Sequence, residues 1–117
     1  MANFIDKMFK IAAKNAIKEN SDYRRKAMIG AVGIRNDGAI VCSKNLPNNA
    51  QLHEIHAERL LSAKLDKGAT VFVARVNRNG DYCNSRPCFT CERTLRLKGI
   101  KKVYYTITNE EYGVINF

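Results

Sequence analysis

The chain has 117 residues, close to the commonest domain size, so we expect a single domain over residues 1–117. A hydrophobic content of 45% and a charged content of 26% are ordinary for a globular protein and exclude collagen-like or disordered composition. The formal net charge of +9 favours an anionic partner, such as a nucleotide or a nucleic acid, although it can equally serve solubility. No run approaches the roughly 20 apolar residues that span a bilayer. The N-terminus lacks a secretory signal pattern, so we expect no membrane association and a cytoplasmic location.

The N-terminal part predicts a helix followed by a β-hairpin. Residues 3–19 place apolar side chains three or four positions apart, which is typical of an amphipathic helix packed on one face. Residues 27–34 and 39–44 are strand-like runs on either side of the Asp37-Gly38 pair. Asp-Gly between apolar runs is a strong hairpin signal, because glycine adopts the positive φ of the turn without steric cost. We therefore expect two antiparallel strands here.

The middle of the chain predicts a second helix and a third strand. Helical spacing returns over residues 54–65, and Gly68 ends this segment. The continuous apolar run over residues 70–76 has the length of a buried strand. Residues 77–86 are rich in Asn and other turn-forming residues, so we expect a loop there.

The last third of the chain predicts a helix and two strands. Residues 88–99 form the third predicted helix, which Gly99 stops. We expect Pro87 at its first position, where the missing N–H costs no intrahelical hydrogen bond. Residues 101–108 and 113–117 are β-branched and aromatic runs. The residues between these two runs are too few for the crossover that parallel strands need, so we expect an antiparallel pair.

Together these elements predict a three-layer α/β/α sandwich. We expect a mixed five-stranded sheet in the order 2-1-3-4-5, counting the predicted strands along the chain. The first helix is expected on one face of the sheet, and the second and third helices on the other. The N-termini of the second and third helices would then converge on one site.

A pair of cysteines at the start of the third predicted helix indicates a metal site. The chain has four cysteines, at positions 42, 83, 88 and 91, and in a reducing compartment this spacing favours a metal over disulfides. Cys88 and Cys91 are three residues apart, which places both sulfurs on one helix face, and a helix N-terminus stabilises thiolates. A third ligand from His56 makes a Cys2His set for Zn²⁺. Such a set leaves one tetrahedral position for water, as a catalytic zinc requires.

Glu58 is the candidate catalytic residue. It lies two residues from His56 and is not needed as a ligand, so its carboxylate is available to move protons. Zinc lowers the pKa of bound water towards neutral pH, and one carboxylate can take and return the protons of a hydrolysis. The pattern H-x-E with P-C-x-x-C is typical of zinc deaminases, in which the Glu is acid and base rather than ligand.

The order of elements and motifs resembles the cytidine and deoxycytidylate deaminase superfamily over nearly the whole chain. The matching motifs are HAE at residues 56–58, PCFTC at 87–91 and GIKKVYY at 99–105. The resemblance implies a cytidine-deaminase-like fold and the zinc-dependent hydrolytic deamination of cytosine in a free (deoxy)cytidine nucleoside or nucleotide. It also implies a homo-oligomer. Many members have Ser or Thr before Pro-Cys, whereas this chain has Arg86.

The resemblance also implies substrate contacts. Asn45 occupies the place of an Asn that contacts the sugar. Backbone groups around Ala57, Arg86 and Cys88 correspond to those that grip the edge of the base. The side chains of Arg86 and Phe89 flank the metal pair, where they could contact a phosphate and a base, while Phe89 as an ordinary core residue is an equal alternative.

Other functions remain open at this point. The first alternative is the same chemistry on single-stranded DNA or RNA, for which the basic surface would follow the backbone. Against it, a chain of this length ending in a hairpin is expected to supply few loops for flanking nucleotides. The second alternative is a catalytically silent, zinc-stapled binding module.

The metal site has alternatives too. His53 lies one helical turn before His56 and could close the zinc shell as a structural site, which would leave Glu58 without a role. Cys83 is a less favoured fourth ligand, and a redox-active CxxC lacks its usual context. Cys42 is expected to be a small buried hydrophobic residue. The basic run over residues 24–26 is expected to be a solvated face, with a phosphate contact as the alternative.

Overall fold

The computed structural model of the chain describes residues 3–18, 27–44, 64–77 and 79–117. These residues form two helices, α1 (Phe4–Lys18) and α2 (Phe89–Lys98). They also form six strands: β1 (Ala27–Ile34), β2 (Ile40–Lys44), β3 (Thr70–Asn77), β4 (Tyr82–Cys83), β5 (Lys102–Thr106) and β6 (Tyr112–Asn116).

The strands form one mixed sheet. Its order is β2-β1-β3-β5-β6, in which β3 and β5 run parallel and the other neighbours run antiparallel. This confirms the predicted order, with β5 and β6 as the fourth and fifth predicted strands. The prediction of five strands was incomplete, because β4 lies in the segment expected to be a loop and pairs antiparallel with β3. Because β1 occupies one edge of β3 along its whole length, β4 pairs with the opposite edge of β3, the edge that also pairs with β5.

The β1–β2 connection is the predicted hairpin. The Arg35 N–H donates to the Ala39 carbonyl at 2.8 Å, and the Gly38 N–H donates to the Arg35 carbonyl at 2.9 Å. Gly38 has φ of 92°, in the left-handed region that glycine adopts without strain. The loop therefore has three residues, with a left-handed glycine as the last of them.

The two faces of the sheet carry separate hydrophobic clusters, because side chains of a strand alternate between faces. On one face, α1 packs on the sheet through Met8, Phe9, Ala12, Ala13, Val32, Phe72, Ala74 and Val76. On the other face, the cluster contains Ala31, Leu65, Ala69, Val71, Val73, Leu95, Ile100 and Val103. Leu95 belongs to α2, so α1 and α2 lie on opposite faces as predicted.

Helix α2 begins slightly later than predicted. Cys88 is its N-cap, with an extended backbone (φ −66°, ψ 166°), and Phe89 is the first helical residue. Pro87 therefore precedes the N-cap and is not at the first helical position, which corrects that expectation. Gly99 ends the helix as predicted, with φ of 90°, and its N–H donates to the carbonyl of Arg96.

Most of the second predicted helix, residues 54–63, lies outside the described residues. Leu65 is buried in the same cluster as Leu95. Gly68 has φ of 88°, and its N–H donates to the carbonyl of Gly99 at 2.8 Å. Within the described ranges, no helix is long and apolar enough to cross a membrane.

Candidate functional site

The two cysteines of the predicted metal pair lie at the N-terminal end of α2. Cys88 is exposed as the N-cap, whereas Cys91 is fully buried in the first turn. The Glu92 N–H donates to the Cys88 carbonyl at 2.8 Å, which closes this turn.

A buried pair of hydroxyl residues, Ser85 and Thr106, fixes the chain that leads to Cys88. The Ser85 hydroxyl lies 2.9 Å from the Val73 carbonyl and accepts the Thr106 N–H at 2.8 Å. The Ser85 N–H donates to the Thr106 carbonyl at 2.9 Å. The Thr106 hydroxyl donates to the Cys83 carbonyl at 2.8 Å. These bonds attach the segment before α2 to Val73 in the middle of β3 and to Thr106 at the carboxyl end of β5.

Sequence reasoning missed Ser85 and Thr106. Ser85 lies in a polar segment that reads as a loop, and Thr106 is one β-branched residue among several in a strand. Their pairing spans 21 residues along the chain, so no local periodicity announces it. The only local signal is a polar residue two positions before Pro87 of the Pro-Cys motif, and this signal does not identify the partner of Ser85.

Arg86 is held by three neighbours. Its Nη1 donates to the Tyr105 hydroxyl at 3.1 Å, and its Nη2 lies 3.3 Å from a carboxylate oxygen of Glu92. The guanidinium carbon lies 5.6 Å from the centre of the Tyr105 ring. The Arg86 N–H donates to the Asn84 side-chain oxygen at 2.9 Å. Main chain and side chain of Arg86 are therefore both anchored immediately before Pro87.

Phe89 is not a core residue. The residue is 79% exposed, so the alternative of an ordinary core residue is wrong. Phe89 lines a groove of about 270 Å³ together with Glu92, Arg93, Arg96 and Leu97. An exposed aromatic ring beside arginines is a surface on which a nucleobase can stack.

The other two cysteines occupy different surroundings. Cys42 is half-buried beside the α1 cluster, and burial raises the pKa of its thiol, an effect that Lys64 partly opposes. This supports the expectation of a small hydrophobic residue. The Cys83 sulfur lies 3.7 Å from the Asp81 carbonyl. Among the described residues, no three metal-binding side chains form a group, so Cys83 does not complete one with Cys88 and Cys91.

The described residues include two of the three predicted zinc ligands, Cys88 and Cys91. Cys88 and Cys91 supply two sulfur donors at one helix end, and sulfur is a preferred zinc ligand. Both histidines of the chain, His53 and His56, lie outside the described residues. A Cys2His set therefore takes its nitrogen ligand from the segment between β2 and β3.

The remaining predicted site residues lie in that same segment. Asn45, Ala57 and Glu58 fall outside the described residues, as does the basic run over residues 24–26. Strand β1 runs antiparallel to both β2 and β3, and Gly30 pairs with both Lys44 and Ala74. The carboxyl ends of β2, at Lys44, and of β3 therefore lie on the same side of the sheet.

Comparison with known proteins identifies relatives of this chain. The family of the cytidine and deoxycytidylate deaminase zinc-binding region matches residues 3–107. The crystal structure of cytidine deaminase from Burkholderia pseudomallei is similar, with a TM-score of 0.70 and 21% identity over 99% of this chain and 93% of that chain. Cytidine deaminase from Mycobacterium leprae gives a TM-score of 0.65 and 21% identity over 97% of this chain and 94% of that chain. These likenesses extend to the fold. No curated protein matches the chain by sequence.

Proposed function

The chain belongs to the cytidine and deoxycytidylate deaminase family, and from this membership we propose a zinc-dependent hydrolytic deaminase. Its substrate is cytosine in a free (deoxy)cytidine nucleoside or nucleotide, and its products are the uracil compound and ammonia. The observation that carries the proposal is the position of Cys88 at the N-cap and of Cys91 in the first turn of α2, within the region that the family matches. The proposal treats residues 1–117 as one deaminase domain.

We propose that His56, Cys88 and Cys91 hold the zinc ion. Two thiolates balance the charge of Zn²⁺, and an imidazole completes a three-residue set of the kind that leaves room for water. Zinc, when bound, acts as a Lewis acid that lowers the pKa of water. The Ser85–Thr106 bonds support this assignment, because they fix the chain on which Cys88 is placed.

Glu58 carries the protons in this proposal. Water adds to C4 of the cytosine ring, while the Glu58 carboxylate takes one water proton and delivers it to N3. Glu58 then takes the remaining hydroxyl proton and delivers it to the amine on C4. The C4–N bond breaks, ammonia leaves and C4 becomes a carbonyl carbon. The carboxylate is regenerated, so the protons balance.

Substrate contacts complete the proposal. Asn45 contacts the sugar, and backbone groups of Ala57, Arg86 and Cys88 contact the edge of the base. Phe89, which follows Cys88 in the chain, offers an exposed ring for stacking.

Ammonia release from a panel of cytosine compounds tests this function. The zinc-loaded chain is expected to release ammonia from cytidine, deoxycytidine or their monophosphates, and the Glu58→Gln variant is expected not to. Release from adenine or guanine nucleosides alone would contradict the substrate assignment. Bound zinc with no release from any compound would favour a silent binding module.

A single-stranded nucleic acid is the second candidate substrate, because the surface around α2 is strongly basic. Residues 83–102 contain six basic side chains, Arg86, Arg93, Arg96, Lys98, Lys101 and Lys102, and one acidic side chain, Glu92. The exposed ring of Phe89 lies among them. Release of ammonia from a cytosine-containing strand, but from no free compound, would favour this candidate.

A further inference from the structure

Tyr105 and Gly113 orient the guanidinium of Arg86. The two residues are opposite each other in the β5–β6 pair. A Cβ atom at Gly113 would overlap the Tyr105 ring, so only glycine leaves room for the ring in this position. The guanidinium of Arg86 lies over the face of the Tyr105 ring, and the Tyr105 hydroxyl accepts a hydrogen bond from Nη1 of Arg86 at 3.1 Å. The orientation of Arg86 is therefore built into the sheet.

The positive charge of Arg86 is only partly balanced. Glu92 pairs with Arg86 at 3.3 Å through one carboxylate oxygen and with Arg96 at 3.5 Å through the other. Two cations thus share one anion, which leaves a net charge of +1 on this trio. The Arg86 side chain is 53% exposed, so its charged group is accessible to a ligand.

A purely structural role does not account for this arrangement. Ion pairs at an exposed surface contribute little to stability, and Glu92 already has an i,i+4 partner on its own helix. A guanidinium has five N–H donors, and the Tyr105 and Glu92 contacts use one on each terminal nitrogen. The planar fork of an arginine matches the oxygens of a phosphate.

The position of Arg86 relative to Cys88 suits a nucleotide. Two residues of extended chain span about 7 Å. That length is comparable with the span from a pyrimidine ring across its sugar to the 5′-phosphate. A base held near Cys88 would therefore place its phosphate within reach of the Arg86 side chain.

We infer that Arg86 binds the phosphate of the substrate, so that this chain acts on a cytosine nucleotide in preference to the nucleoside. Tyr105 is the positioning residue that presents the guanidinium. The inference rests on the proposed function and specifies its substrate class. The phosphate belongs either to a free monophosphate or to a strand.

Binding to a variant without turnover tests the inference. The zinc-loaded Glu58→Ala chain is titrated by calorimetry with cytidine, deoxycytidine and their 5′-monophosphates. A charge-assisted contact predicts roughly 10- to 100-fold tighter binding of the monophosphates. Arg86→Gln in the same background is expected to abolish this ratio. Arg93→Gln, which removes one charge from the same helix, is the matched control and is expected to keep the ratio.

Two further variants separate positioning from charge. Tyr105→Phe removes the hydroxyl acceptor and keeps the ring, so the ratio is expected to fall several-fold while zinc content is unchanged. Arg86→Lys keeps the positive charge and loses the planar guanidinium. The ratio of monophosphate to nucleoside affinity in this variant is therefore expected to lie between the ratios of the chain with Arg86 and of Arg86→Gln. An unchanged ratio in Tyr105→Phe would overturn the positioning role.

A short strand with one cytosine distinguishes the two sources of phosphate. A single contact predicts that log affinity falls by about 0.7 per log unit of salt, and a strand with several contacts predicts a multiple of this slope. Arg86-dependent binding of either ligand supports the inference. Equal affinity for nucleoside and nucleotide together with strand binding that survives Arg86→Gln, a ratio that survives Arg86→Gln, or no binding of any ligand overturns it.

Turnover distinguishes this inference from the proposed function. Ammonia release from nucleosides and nucleotides at equal rates, unaffected by Arg86→Gln, overturns the inference and supports the function. Arg86-dependent nucleotide binding without ammonia release in the chain that retains Glu58 supports the inference and overturns the function.

Discussion

The hydroxyl oxygens of Ser85 and Thr106 lie 2.9 Å apart in the interior of the protein. Both residues are buried, with 4% and 1% of their surfaces exposed. Buried hydroxyls are costly unless they are hydrogen-bonded, and here each also bonds to main-chain groups of other segments. The contact thus joins the β5 end to the segment that carries Cys88.

Ser85→Ala is expected to destabilise the fold. The change leaves the buried Thr106 N–H without its acceptor, which costs about 1–3 kcal/mol of unfolding free energy. Urea unfolding measures the difference. Thr94→Ala removes a hydroxyl on the α2 surface that bonds to the Thr90 carbonyl, and it is expected to change stability by no more than about 0.5 kcal/mol. Equal effects of the two changes would contradict the role given to Ser85.

Replacement of either metal-pair cysteine is expected to lose zinc. Cys88→Ser and Cys91→Ser each remove one of the two proposed sulfur ligands, and metal binding contributes to folding. Elemental analysis of the purified variants gives the zinc content, and thermal unfolding gives the accompanying loss of stability. Cys83→Ser serves as the control and is expected to retain zinc. Full zinc content in Cys88→Ser would exclude Cys88 as a ligand.

Glu58→Gln is expected to keep zinc and the fold while losing nearly all turnover. A neutral amide cannot take the proton from water, and general acid–base catalysis contributes about 10²- to 10⁴-fold to rate. The proposed group is used in two successive transfers, so the loss is expected at or above the upper end. Ammonia release per zinc-loaded chain measures it. A variant that retained most of the rate would rule out the proposed proton carrier.

Two leucines of α2 provide a test of the packing. Leu95 is fully buried between the helix and the sheet, whereas Leu97 is 76% exposed. Leu95→Ala is expected to cost about 2–5 kcal/mol, because it removes buried methyl groups and leaves a cavity. Leu97→Ala is expected to change unfolding free energy by at most about 0.5 kcal/mol. Similar denaturation midpoints for the two variants would mean that α2 does not pack as described.

Local patterns in the chain were enough to predict most of the architecture. Apolar spacing along α1, the Asp37-Gly38 turn and the short connection between β5 and β6 each depend on neighbouring residues, and all three appear in the structure. The placement of Cys88 and Cys91 together at the start of a helix was also predictable, because they are three residues apart and follow Pro87.

Contacts between distant residues were decided by the tertiary structure alone. Strand β4 is two residues long and forms because β3 extends past the end of β5, which leaves an edge for Tyr82 and Cys83 to pair with. The overlap of Tyr105 with the space above Gly113 depends on strand register, which the composition of neither strand specifies. Arg86 likewise obtains its partners from β5 and α2 only after these elements pack together. Hydrogen bonds and stacking of this kind act over a few ångströms in space between residues that are not neighbours along the chain, so no local sequence pattern indicates them.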